Sequence, residues 1–255
     1  MKPDIPYPIC DIPYPKSEIS NPKSQNYALI VFAKAPVPGQ VKTRLSPPLS
    51  QEEAARLYEA FLDDALEAYA SNDAFGLDES VAVRLYLAGA ESPRSTAGFA
   101  PGSITTHRQR GDGLGPRMLR AFAETFAAGF ERIVIIGTDH PTLPPAFIGE
   151  AFRALSEPFT VALGPSTDGG YYLLGLNELY APLFEMQYSH GSVFERTLER
   201  AVEEGARPVV LPEWYDVDDI GSLQRLVHEW REGVSVPSRT EIAIKTLLEA
   251  YPNRF

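Results

Sequence analysis

Asp139 stands immediately beyond a β-branched run, IVII at 133–136, within the stretch RIVIIGTDHPTLP. The run is too short for a helix and apolar enough to be buried on both faces, as a central parallel strand is. Ligands of open α/β sheets bind beyond the carboxyl ends of the strands, so this carboxylate is expected to face a cleft. A turn aspartate serving nearby backbone N–H groups is the alternative. Lys34, Lys42 and Arg44 fall within one short loop, KAPVPGQVKTR, directly after the apolar stretch YALIVFA at 27–33. Pro36 and Pro38 stiffen that loop and Gly39 permits a tight approach. In an acidic chain such a cluster suggests a phosphate cradle, against the alternative of a solvated loop. The spacing is not that of a P-loop. Nor is GDGLG at 111–115 a dinucleotide fingerprint, because its glycines alternate strictly. That stretch still opens a helix whose N-terminus could face an anion, with Arg117 in its first turn.

Two further stretches carry acids. Asp168 lies in the glycine-hinged turn GPSTDGGYY at 164–172, where Gly169, Gly170 and Tyr171 offer a flat surface and an aromatic face to a ring-shaped ligand; a plain hairpin is the alternative. In DVDD at 216–219, Asp219 is placed to be a helix N-cap, which leaves Asp216 and Asp218 on one side of an extended segment. Joined by Asp139, those two could hold a hard divalent ion through oxygen ligands, unless all are unrelated caps. The four histidines, His107, His140, His190 and His228, show no metal spacing and read as surface or turn residues.

The elements that must position these groups alternate. Strands are expected at 27–33, 81–87, 104–107, 133–136, 160–163, 171–176 and 207–211. Helices are expected at 50–70, from Pro116, and at 145–155, 192–204, 219–230 and 238–250. Ser50-x-x-Glu53 and Ser238-x-x-Glu241 read as capping boxes. Strands alternating with helices imply a mostly parallel sheet covered on both faces. The compact turn between 163 and 171 implies an antiparallel edge, since parallel strands cannot be joined so tightly. Residues 27–255 read as one domain. Residues 1–26, with IPYP nearly repeated, read as a proline-rich arm lying on the surface or on a neighbouring subunit of a homo-oligomer.

A chain of 255 residues with 44% hydrophobic and 22% charged residues is that of an ordinary globular protein. Its net charge of −11 argues against nucleic acid or an anionic membrane as partner. The apolar runs are far shorter than a membrane span, and 1–26 lacks the apolar core of a signal peptide, so a cytoplasmic location is expected. The single cysteine, Cys10, leaves neither an internal disulfide nor a cysteine-rich zinc site.

Taken together, FAKAPVPGQVKTRL, GTDHPTLP, LGPSTDGGYYLLGL and DVDD resemble the motifs of the radical-SAM/selenodomain-associated transferase 1 family, over about residues 27–230. That family is similar to the nucleotide-diphospho-sugar transferases of GT-A fold and to the nucleotidyltransferases of cofactor biosynthesis. The resemblance implies a GT-A-like α/β/α sandwich. It gives the Lys34, Lys42 and Arg44 loop the place of the phosphate-binding first loop. Asp139 and Asp218 become the acids that hold Mg2+ or Mn2+. Three positions depart from the family pattern: Gly113 stands where it has Asp, Thr138 where it has Ser, and Tyr188-Ser189-His190 where it has Trp-Ser-Thr.

The expected activity is metal-dependent transfer from a nucleotide-diphospho-sugar to an unidentified acceptor, with Asp168 as acceptor-orienting group or base. Gly169, Gly170 and Tyr171 would form the acceptor side. Stretch 164–176 holds no Lys or Arg to meet a third phosphate, which favours a sugar there. The alternatives are nucleotidyl transfer from a nucleoside triphosphate and a non-catalytic nucleotide-binding module.

Overall fold

A computed structural model describes residues 26–71, 73–89, 104–188, 191–252 and 254–255. The expected proline-rich arm, apart from Asn26, lies outside the described residues. So do Ser189 and His190 of the departing motif. The chain runs β1 (Tyr27–Lys34), α1 (Gln51–Tyr69), β2 (Val81–Ala88), β3 (Ile104–Arg108), α2 (Leu114–Ala127), β4 (Arg132–Ile136), α3 (Pro145–Ala154), β5 (Thr160–Pro165), β6 (Tyr171–Leu176), α4 (Val193–Glu203), β7 (Arg207–Val210), α5 (Ile220–Arg231) and α6 (Ser238–Ala250).

The strands form one sheet in the order β3-β2-β1-β4-β6-β5-β7. β1 pairs in parallel with β2 on one side and β4 on the other. β6 is antiparallel to both β4 and β5, as its short connection to β5 requires, and β7 continues parallel to β5. The antiparallel strand therefore sits inside the second half of the sheet, with β7 at the margin. After β1 the chain builds outward through β2 and β3, then returns to lay β4 on the opposite side of β1. The gap between the carboxyl ends of β1 and β4 is thus a topological switch point, where a crevice opens.

β1 is buried on both faces because its side chains alternate between two cores. Leu29, Val31 and Ala33 pack with Leu62 and Leu66 of α1 and Phe152 of α3, whereas Ala28 and Ile30 pack with Met118 and Phe122 of α2. A third cluster joins Leu57 and Phe61 of α1 to Leu223 and Leu226 of α5 and Ile244 of α6. Each fully buried Leu, Ile or Phe contributes about 1.5–3 kcal/mol, so these layers hold the strand ends rigidly.

Local capping follows the residues in two cases and not in a third. Ser50 accepts from Glu53 N while Glu53 accepts from Ser50 N, completing the expected box of α1. Asp219 accepts from Ser222 N and caps α5. The box expected at Ser238 is absent: α6 begins at Ser238, its N-cap is Pro237, and Glu241 pairs instead with Lys245 at 2.7 Å. The orphan N–H groups of that first turn are met by Asp64 of α1. Its carboxylate accepts from Arg239 N at 3.2 Å, Thr240 N at 2.7 Å and Thr240 Oγ1 at 2.8 Å. A buried acceptor from another helix has replaced the local one. Asp64→Ala should therefore cost about 3 kcal/mol in urea unfolding, because it strands buried donors, while Glu241→Ala should leave the urea midpoint nearly unchanged.

Candidate functional site

The crevice at the switch point is a cleft of about 690 Å3, within the range of small-ligand sites. Its lining brings together most residues expected from the sequence: Lys34, Lys42, Arg44, Arg117, Asp139, Asp168, Gly170, Tyr171 and Asp218, with Asp216 beside them. Gly39 and Gly169 do not line it. Gly39 sits against Gln51, and Gly169 (φ 85) packs so closely on Gly191 that a Cβ would lie 2.2 Å from its carbonyl oxygen.

The centre is Lys42. Its side chain is only 2% exposed, and its ammonium lies 2.5 Å from Asp139 Oδ1 and 3.5 Å from Asp218 Oδ1. The backbone there is left-handed (φ 48, ψ 38), an uncommon conformation for a residue with a Cβ, and it turns the side chain inward. Asp139 arrives on the loop after β4. Its carbonyl accepts Val217 N at 2.8 Å, which ties the DVDD segment to β4 and brings Asp218 beside it. Arg44 adds an outer contact to Asp218 at 3.3 Å, largely in solvent. Tyr58 of α1 holds the two strand ends together: its hydroxyl accepts from Lys34 N at 3.0 Å and from Thr138 Oγ1 at 3.1 Å. A threonine hydroxyl at 138 thus fills the bonding role that a serine would.

Burial pushes the Asp139 carboxyl up, but the charge and hydrogen bond of Lys42 outweigh it and hold the group below its ordinary 3.8. His140 is driven down to about 4 by burial, against the pull of Asp139, so at neutral pH it brings no positive charge to the cleft. Its ring lies 5.6 Å from that of Tyr172. Asp216 is raised, first by burial and then by Asp168, although it accepts from Ser166 Oγ at 3.2 Å. Asp168 is exposed, and its Oδ1 accepts Gly170 N at 2.8 Å, which orients the carboxylate across the turn.

Arg117 reaches the cleft from α2, and its Nε donates to Gly111 O at 3.0 Å. The α2 N-cap is Gly113 at φ 100 and ψ 170, a region essentially reserved for glycine. That accounts for glycine rather than aspartate at this position. Among the cleft residues that the sequence reading did not assign are Tyr58, His140 and Gln109. Only the adjacency of His140 to Asp139 gave a local sign.

The carboxylates suit a cation. Asp139 and Asp218 already converge on one positive centre, the Lys42 ammonium. Among the described residues no three or more His, Cys, Asp or Glu side chains gather as a metal cage, and Asp216 bonds to Ser166 rather than joining the pair. Two carboxylates completed by substrate phosphates is how Mg2+ is commonly held, so the donor set fits such an ion.

The model of a family described as an uncharacterized protein conserved in bacteria (DUF2064) matches residues 72–190. No curated protein matches the chain. Among solved structures the chain is similar to one from Desulfovibrio desulfuricans G20 that bears the provisional name nucleotide-diphospho-sugar transferase. The identity is 26% over 88% of this chain and 95% of that one, with a TM-score of 0.74. It also matches a cytidylyltransferase from Leptospira borgpetersenii serovar Hardjo-bovis (strain JB197) at 13% identity, over 89% and 95% of the two chains (TM-score 0.48). Rv0371c from Mycobacterium tuberculosis H37Rv, in complex with manganese, matches at 17% identity over 79% and 98% (TM-score 0.41). The fold is the GT-A-like α/β/α sandwich of the nucleotide-diphospho-sugar transferases. No described helix is long and apolar enough to cross a membrane.

The Lys42 bridge makes a measurable claim. With its pKa lowered, Asp139 stabilises the fold fully above about 3.8, and this contribution is lost as pH falls through the lowered value. In Lys42→Met, burial acts unopposed by the bridge and the carboxyl should rise above 3.8. The sign then reverses: the variant gains stability as pH drops from neutral towards the ordinary value. Carboxyl titration by NMR, with urea midpoints across that range, checks both statements.

Proposed function

We propose that this protein is a metal-dependent transferase that takes a sugar from a nucleotide diphosphate, a reading that extends its motif likeness to the radical-SAM/selenodomain-associated transferase 1 family. The observation that carries it is the buried Lys42 ammonium gathering Asp139 and Asp218 at the switch point, within a fold shared with a transferase-named structure. Around it the described lining holds Lys34, Lys42, Arg44 and Arg117 against Asp139, Asp168, Asp216 and Asp218. The cleft is thereby balanced in a chain of net charge −11, and it does not repel a diphosphate.

In this reading Lys34, Lys42, Arg44 and Arg117 neutralise the diphosphate. Asp139 and Asp218 hold Mg2+ or Mn2+, which when bound adds positive charge against the diphosphate oxygens. The part of the lining formed by Gly170 and Tyr171 takes the sugar ring. An acceptor hydroxyl oxygen bonds to the anomeric carbon and passes its proton to Asp168. The bond from that carbon to the diphosphate oxygen breaks, and the nucleoside diphosphate leaves with the electron pair. Neutral His140 and raised Asp216 line the same cleft, so positive charge stays concentrated on the phosphate side.

The test supplies labelled nucleotide sugars and nucleoside triphosphates with a cell extract as acceptor source. Acceptor-dependent release of a nucleoside diphosphate, dependent on Mn2+ or Mg2+ and lost in Asp139→Ala, is expected. Pyrophosphate released from a triphosphate, with none of the former, would establish nucleotidyl transfer instead. In parallel, Lys42→Ala should weaken a diphosphate by about 1.5–3 kcal/mol while leaving the bare nucleoside little changed. Equal losses for both would remove Lys42 from the phosphate site.

A further inference from the structure

The Lys42 ammonium is the cation that Asp139 and Asp218 share in this structure. Three of the four oxygens of that acid pair carry a positive group. Lys42 Nζ lies 2.5 Å from Asp139 Oδ1 and 3.5 Å from Asp218 Oδ1, and Arg44 Nη1 lies 3.3 Å from Asp218 Oδ2. The same lysine serves the diphosphate in the proposed reaction, and the same acids serve the metal. Both roles cannot be filled while the bridge stands, because the ammonium is spent on the acids.

Exposure differs across the bridge. The side chains of Asp139 and Asp218 keep 42% and 40% of their surface open, whereas that of Lys42 keeps 2%. A cation from solvent reaches the acids directly and meets the ammonium at once. Mg2+ takes its oxygens at about 2.0–2.1 Å and tolerates little departure from octahedral geometry. An ion bound that closely to both carboxylates would crowd Nζ, and two cations at such range, partly shielded from water, repel strongly. The lysine is the group able to leave. Its charge rides on a flexible four-carbon stem, so the ammonium can swing away without a change of backbone.

We propose that Lys42 is a built-in stand-in for the metal, so that the Lys42 bridge and a divalent ion shared by Asp139 and Asp218 exclude one another. The ion takes the carboxylates by displacing the ammonium into the cleft, where the diphosphate oxygens become its partner. A metal resting on the fourth oxygen alone, Asp139 Oδ2, would leave the bridge in place and is the alternative. This inference rests on the metal-dependent reading of the site.

The experiment titrates the nucleotide-free, full-length protein with Mn2+ alone, following the free ion by EPR. Lys42→Met, with folding verified by its melting curve, should bind Mn2+ more tightly than the wild type by about ten-fold or more. Adding Asp139→Ala to that variant should abolish the gain. In the wild type, saturating Mn2+ should speed the acetylation of Lys42 severalfold relative to Lys245, which pairs with Glu241 on α6 outside the cleft. The labelling decides the question even where Lys42→Met does not fold. Equal Mn2+ affinity in the wild type and Lys42→Met, or labelling of Lys42 unchanged by the metal, would overturn the inference and leave the metal reading intact. A gain that survives Asp139→Ala would overturn it as well. A folded Lys42→Met that binds no Mn2+ would overturn both this inference and the assignment of a metal to Asp139 and Asp218, with release of a nucleoside diphosphate as the separate measure of the transfer reading.

Discussion

A buried ammonium cannot stand alone, and the rest of the site follows from meeting that demand at Lys42. Taking a lysine charge out of water costs several kcal/mol unless carboxylates compensate closely. Asp139 does so at 2.5 Å and Asp218 at the edge of contact, from segments separated by more than seventy residues of chain. The left-handed backbone at Lys42 adds a local cost, of order 1 kcal/mol for a residue with a side chain. The fold sustains both because the strand ends that present these groups are clamped by Tyr58 and by the Asp139 to Val217 backbone bond. An exposed pair such as Arg44 with Asp218 adds little to stability by comparison. Its contribution is to the charge that a ligand meets.

The topology gives this clamp its location. Because β2 and β4 leave β1 in opposite directions, the loops after β1 and β4 cannot close over each other, and the gap between them stays open. The β5–β6 turn reaches the same end of the sheet because β6 runs antiparallel to β4. Cations thus come from the loop after β1 and from α2, while Asp168 comes from the hairpin turn. Different parts of one sheet deliver the groups that line the cleft.

Much of this was legible locally. Strands of β-branched residues, the Ser50 box and the Asp219 cap depend on neighbours a few residues apart, and they appear where the residues place them. The convergence of Asp139, Asp168 and the loop that follows β1 was legible because these lie at or beyond strand ends, where α/β sheets open, and Asp218 was legible from its place before a helix. Bonds across long stretches of chain were not. Thr240 meets Asp64 across 176 residues, Thr138 meets Tyr58 across 80, and Gln109 meets Ala33 across 76. No spacing rule links such pairs; only the folded sheet brings them together. Ser238 illustrates the consequence, since a correct local motif lost to a buried carboxylate from another helix.

The division of charge within the cleft bears on the chemistry as a whole. Of the four lining carboxylates, Asp139 and Asp218 are committed to Lys42, and the lowered pKa of Asp139 follows from that commitment. Among the described residues Asp168 and Asp216 form no ion pair of this kind. At one end of the cleft Lys42 thus holds the Asp139 carboxylate ionised. At the other, burial and then the nearby Asp168 raise the Asp216 carboxyl. His140, which also lines the cleft, adds no positive charge at neutral pH, because burial keeps its ring neutral.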